Sequence, residues 1–193
     1  QPTEAFYLVN TEKDGKNHYG SRLAQLDSWS AQLVSGETKE IEAGSVLPQR
    51  SGPIRISEAP ASKVQGISIV GTDVQAASTS FTLLPGYRGD ILAVEISSSA
   101  PMTEIKIGGE TLRKNETPPS VVILYYFAVP EGGLNFDISS PGEITLHAAE
   151  VTSNWPEDIA LQIPKKPANI MIAPYRLSDS TISSVKHSFT REN

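Results

Sequence analysis

Three histidines, His18, His147 and His187, are the side chains of this 193-residue chain best suited to hold a metal or move a proton near neutral pH. A zinc site read from sequence needs imidazoles and carboxylates at short fixed spacings, as in HExxH, so that one element presents two ligands together. None of the three has a His, Asp or Glu partner in such a pattern, so they are expected to be solvated or structural histidines unless the fold brings ligands together in space. There is no cysteine, which removes disulfides, thiolate ligands and cysteine nucleophiles in one step. No GxSxG elbow is present, and the serines of "STSF" and "ISSS" occupy alternating positions expected to face water. The 22 acidic residues make pairs of carboxylates easy to find and therefore uninformative. No GxGxxG or GxxxxGK[ST] phosphate loop occurs, and "IGGETLRK" lacks the spacing.

Aromatic rings offer a second chemistry. Trp29, Trp155, Tyr87, Tyr125, Tyr126 and Tyr175 are candidates for stacking on sugars, a use to which β-sandwiches are often put. The alternative is that Tyr125 and Tyr126 lie in a buried strand while Trp29 and Trp155 cover edges of the core, and the general dominance of aromatics in cores favours it. Asn115, in "NET", accepts a glycan only in a eukaryotic secretory pathway.

The elements that must position these side chains are strands. In "LNFDI", Leu134, Phe136 and Ile138 share one face; in "EITLHAAEV", Ile144, Leu146 and Ala148 point inward and His147 points to the opposite, wet face. "ILAVEIS" buries Leu92, Val94 and Ile96. The unbroken run "VVILYYFAV" suits a central strand covered on both faces or the middle of a sandwich. "EIKIGGETL" reads as a hairpin turning at Gly108 and Gly109. Short strands at regular spacing without long helices predict an all-β protein, an antiparallel, jelly-roll-like β-sandwich with a short N-terminal helix.

Residues 1–193 are expected to form a single domain, with 1–50 a hairpin and short helix packed on the sandwich. The hairpin is "AFYLVN" and "TEKDGKNHYGSR", with Asp14 and Gly15 at its tip. Asp27 is a candidate N-cap for a helix from Ser28 to about Val34, ended by Gly36, on which Trp29, Gln32 and Leu33 share a face. The last strand is expected over Thr181 to Phe189.

A net charge of −6 argues against nucleic acid, whose phosphates need a basic patch. No apolar stretch is long enough to span a bilayer, and the start at Gln1 without a signal peptide reads as a fragment or processed form.

Two stretches carry a family resemblance. "AFYLVNTEKDGKNHYGSRLAQLDSWSAQLV" is similar to the segment that opens the C-terminal soluble domain of membrane-embedded peptidases of the M28 zinc metallopeptidase family: an apolar strand, a D-x-G-K turn, an aromatic, then D-x-W-T-x-Q. "DSTISSVKHSFT" resembles their closing strand, D-x-T-x-V-x-x-S-F, and the strands between follow the same order. The matched positions are Asp14, Gly15, Lys16, Tyr19, Asp27, Trp29, Ser30 and Gln32, then Asp179, Thr181 and Phe189, with Ser30 standing where the family usually has Thr.

The resemblance implies a non-catalytic accessory domain of a membrane-anchored zinc aminopeptidase or protease. Its partners would be the catalytic and transmembrane regions of the same polypeptide, with a homo-oligomer a further candidate. The location would be the extracytoplasmic side of a membrane, in the periplasm or in a vacuolar or endoplasmic reticulum lumen. None of the family's zinc ligands or its glutamate base falls on this chain, so no catalytic, cofactor or metal residue is expected here, and the zinc would belong to the separate catalytic domain. The competing reading is a carbohydrate-binding or adhesion module.

Overall fold

The computed structural model describes residues 2–9, 15–87, 90–112, 118–172 and 177–191. In chain order its strands are β1 (Pro2–Thr3), β2 (Phe6–Val9), β3 (His18–Ser21), β4 (Thr38–Glu42), β5 (Pro53–Glu58), β6 (Ser68–Val74), β7 (Ser78–Leu84) and β8 (Ile91–Ser98). They continue as β9 (Glu104–Ile107), β10 (Glu110–Thr111), β11 (Val121–Phe127), β12 (Leu134–Ser139), β13 (Ile144–Thr152), β14 (Met171–Ile172) and β15 (Ser180–Phe189). The short helices are α1 (Ser30–Leu33) and α2 (Glu157–Ala160), and a 3-10 turn spans Ala43–Ser45.

The architecture is an all-β sandwich. The large sheet has eight strands in the order β11-β8-β13-β15-β2-β3-β5-β4, and the small one has five, β10-β9-β12-β7-β6. Most pairings are antiparallel, as expected, but β15 pairs with β2 in parallel and the small β1–β14 ladder is parallel too. Residues 1–50 are therefore woven into the large sheet through β2, β3 and β4 rather than packed on it from outside.

Register shows how one sheet carries three cores. Leu92, Glu150, Ser183 and Val9 are successive cross-strand neighbours, so they share one face. At the Leu92 end this face meets the small sheet, where Val94, Ile96, Leu146 and Ala148 pack against Phe81, Phe136 and Ile138. At the Val9 end the small sheet is replaced by α1 and α2, and Tyr7, Tyr19, Trp29, Leu33, Trp155 and Ile159 form a second core. On the reverse face the chain around the 3-10 turn lays Ala43, Val46 and Leu47 over Phe6, Leu8, Ile54, Ile56 and Ile182.

Polar groups join the two halves at the seam. Glu150, buried at 2 % exposure, accepts the Gly86 amide at 2.6 Å and the Tyr87 amide at 3.1 Å, and Ser183 Oγ accepts the Ile67 amide at 2.9 Å. The loops leaving the small sheet are thus tied to the large one by hydrogen bonds that leave these buried groups satisfied.

Local expectations fare unevenly. The hairpins over β2–β3 and β9–β10 are present, and Gly108 and Gly109 take φ of +60° and +84°, as a two-residue primed turn demands. The central position expected for "VVILYYFAV" is wrong. β11 ends the large sheet, and only its even residues, Val122, Leu124 and Tyr126, pack on the core, whereas Tyr125 is exposed. An apolar run shows that both faces are greasy, not that both are covered.

Candidate functional site

The histidines do not converge. In β13 and β15, His147 faces Lys186 and His187 faces Leu146, so the two imidazoles sit at register positions of opposite parity and point to opposite faces. His18 lies buried in β3. No group of three or more His, Cys, Asp or Glu able to hold a metal forms among the described residues, and this donor set does not fit a zinc site.

His147 does lie on the face opposite the sandwich core, but the expected wet surroundings are wrong: it is 5 % exposed and its Nε2 has no partner. The segment from Ala43 to Arg50 runs over this side of the sheet, and Gln49 Nε2 donates to Glu95 Oε2 at 2.6 Å beside the imidazole. Burial pushes the His147 pKa down and Lys186 adds to this, while Glu95 opposes it. One serine expected to face water, Ser98, is structural instead. Ser98 Oγ lies 2.8 Å from Ser140 Oγ, and Ser140 is buried.

The aromatic residues form the most organised cluster. Tyr7, Tyr19, Trp155 and Trp29 make a chain of edge-to-face contacts with centroids 6.0, 6.1 and 6.3 Å apart. Trp29 is 1 % and Trp155 9 % exposed, so neither offers a face for stacking on a sugar, and support for the carbohydrate reading from these two rings is lost. Burial raises the Tyr7 and Tyr19 pKa values, and Tyr7 Oη donates to the Pro60 carbonyl at 2.6 Å.

A shallow hollow of about 400 Å³ lies over the cluster, lined by Trp29, Trp155, Ile163, Pro164, Lys166 and Asp179. Its chemistry suits a cation, and the chain supplies one: Lys166 Nζ sits 4.4 Å from the Trp29 ring centroid and pairs with Asp179 Oδ2. Asp179 Oδ1 accepts Trp155 Nε1 at 3.3 Å, and Trp29 Nε1 donates to the Pro164 carbonyl at 2.8 Å. The polar ends of both indoles and the carboxylate are therefore engaged within the chain.

Local sequence explains how Trp29 is delivered. Asp27 Oδ1 accepts the amides of Trp29 and Ser30 at 2.9 and 3.1 Å, and its backbone carbonyl accepts the Ala31 amide at 2.9 Å, so a helical turn begins at Asp27 although regular helix runs over Ser30–Leu33. Ser30 Oγ donates to Asp27 Oδ2 at 2.5 Å, and Thr3 Oγ1 lies 2.8 Å from Ser30 Oγ. Burial alone would raise the Asp27 pKa, but hydrogen bonds from Ser30, Thr3 and the two amides outweigh it and hold the carboxyl below its ordinary value. Trp29 and Leu33 face inward as expected, but Gln32 does not join them: it is exposed, with Nε2 donating to the Ser28 carbonyl at 2.9 Å.

Of the other fingerprint positions, Asp14 lies outside the described residues, as do Asn115 and Tyr175. Gly15 follows with φ +69°, and Lys16 Nζ pairs with Glu58 at 2.6 Å on the surface. Phe189 is buried and stacks on Phe81, centroids 4.8 Å apart. Thr181 Oγ1 donates to the Asn154 carbonyl at 2.6 Å.

Two buried acids, Glu4 and Glu150, are absent from the sequence expectations, though only the first lacks a local signal. Glu4, fully buried, takes Arg22 in a two-pronged contact, Nε to Oε1 at 2.7 Å. Glu150 was legible: it stands two residues beyond Ala148 in the inward register of Ile144, Leu146 and Ala148. No protein-family model matches the chain, and it matches no curated protein and no solved structure.

Proposed function

We propose that this chain is a non-catalytic accessory domain of a membrane-anchored M28-type zinc peptidase, lying on the extracytoplasmic side of the membrane. The observation that carries the reading is where the two resembling stretches meet. They stand at opposite ends of the sequence, yet β2 and β15 pair directly, Thr181 opposite Tyr7, and the Asp179 amide donates to the Ala5 carbonyl at 2.8 Å. Asp179 then reaches Trp155, which meets Trp29. Within the fingerprint, Tyr19, Trp29, Asp179 and Thr181 thus come together around Tyr7 and Trp155, as parts of one domain would.

The side chains in that unit serve packing. Asp27 caps, Trp29 and Phe189 fill cores, and Thr181 ties a loop. The hydrolytic chemistry and its zinc belong, on this reading, to another part of the polypeptide.

Two measurements test it. The isolated chain, supplied with zinc, should release no product from aminoacyl-nitroanilides; chelator-sensitive release overturns the non-catalytic reading. The coding sequence upstream of Gln1 should carry several membrane spans preceded by a zinc-peptidase ligand pattern; an upstream sequence lacking them overturns the peptidase context.

A further inference from the structure

Among the described residues no strand pairs with β11 on its outer side, and this edge of the large sheet has properties that the other sheet edges lack. Val121, Ile123, Tyr125 and Phe127 of β11 are 50, 41, 54 and 72 % exposed and account for four of the six exposed large hydrophobic residues among those described. All four lie on one face of one strand. Their main-chain groups point outward as well. Ser98 N donates to the Ser120 carbonyl and Ala128 N to the Asp90 carbonyl, which marks the even residues as those exchanging hydrogen bonds with β8. In an antiparallel ladder the odd residues then turn their N–H and C=O groups to the free side.

Sheet edges invite pairing unless something blunts them. The opposite edge of the large sheet, β4, reads Thr-Lys-Glu-Ile-Glu. In the small sheet, β10 is two residues long, and β6 carries a register shift between Val70 and Asp73 with Gly71 at φ +60°. β11 is seven residues with no charge, proline or bulge.

We propose that two copies of this chain join edge to edge through β11, antiparallel about Leu124, so that their large sheets become one. This register places Val121 opposite Phe127 and Ile123 opposite Tyr125 of the second copy, each an aliphatic side chain against an aromatic, the favourable kind of cross-strand pair. All four outward-facing residues of each strand fall in hydrogen-bonded positions, about eight main-chain bonds in total. Glu95 neighbours Ile123 on β8 and so falls in the row of Tyr125 of the second copy rather than in the row of its own equivalent.

Edge pairing buries the strand edges and the flanks of these side chains while their outer faces stay open, so the join is carried by the main-chain bonds and the cross-strand contacts. A second copy is favoured over an unrelated extended peptide because the strand complements itself in this register. The proposal does not depend on the peptidase reading.

The test is the mass of the chain by sedimentation equilibrium across the micromolar range. The natural chain should be dimeric, and the double variant Ile123→Lys, Tyr125→Lys should be monomeric with an unchanged circular dichroism spectrum. The absence of cysteine permits a register test that does not rely on that variant. Leu124→Cys faces itself across the two-fold and should oxidise to a covalent dimer, whereas Val122→Cys faces Tyr126 and should not. A natural chain that stays monomeric overturns the proposal. So does a dimer that survives the lysines while Leu124→Cys fails to cross-link, the result expected if another surface pairs.

Discussion

The Trp29 and Trp155 indoles meet edge to face, 6.3 Å between centroids and 79° between planes, and the Trp29 Nε1–H reaches a carbonyl 135 residues away. Trp29→Ala removes this ring from the second core, and a buried tryptophan truncated to alanine costs about 3 to 5 kcal/mol. Trp29→Phe retains most of the packing but loses the Nε1 bond, so it should cost clearly less. Urea denaturation of the three proteins checks the order, and an unchanged midpoint for Trp29→Ala would contradict the burial.

Asp27→Ala should cost about 1 kcal/mol through loss of a helix cap, and more if the Ser30 hydroxyl is left unpaired. The Asp27 carboxyl titrates below its ordinary value of 3.8 in the fold, so its contribution is complete above that value and is lost as pH falls through the lower, folded one. The stability gap between the natural chain and Asp27→Ala should therefore be constant from pH 8 to about 5 and shrink below about 4. Chemical denaturation at several pH values measures it.

Asp179 is a non-glycine residue at φ +58° whose carboxylate holds Trp155 and Lys166. Alanine there loses both partners and is poorly suited to the left-handed backbone, whereas asparagine tolerates that backbone and keeps an acceptor. Asp179→Ala should destabilise by about 2 kcal/mol and Asp179→Asn by less, read from thermal unfolding. Equal losses would mean that the charge on Lys166, not the backbone, dominates.

His147 is held neutral by burial, and its groups of opposite and like charge are Glu95 and Lys186. Its pKa lies below the ordinary 6.5, so the unfolded chain binds the proton more readily and stability falls as pH drops below that value. The natural chain should lose stability between pH 7 and 5 more steeply than His147→Gln. Parallel pH profiles would show that the imidazole is not held neutral.

Local signals were legible where both partners lie within a few residues. The Asp27 cap needs only amides two and three positions on, and the Gly108-Gly109 turn needs only its own backbone freedom. Alternation placed Phe136, Ile138, Leu146 and Ala148 inward because the strand period is geometric. Gln32 went astray because a helix this short makes little more than one turn, and its outward azimuth is set by how Trp29 and Leu33 dock.

That the chain is built of strands, where they turn, and which side of most strands is apolar can be read along the chain, since these follow from side-chain period and backbone sterics. Which apolar faces are covered depends on how distant segments pack. His147 was given its face by alternation, but its dryness by a segment about a hundred residues earlier that lies over the same sheet. β11 was given two apolar faces by its composition, and its open edge by strand order, which depends on β8 pairing with β13 on its other side. Burial is a relation between distant segments, and no property of one segment contains it.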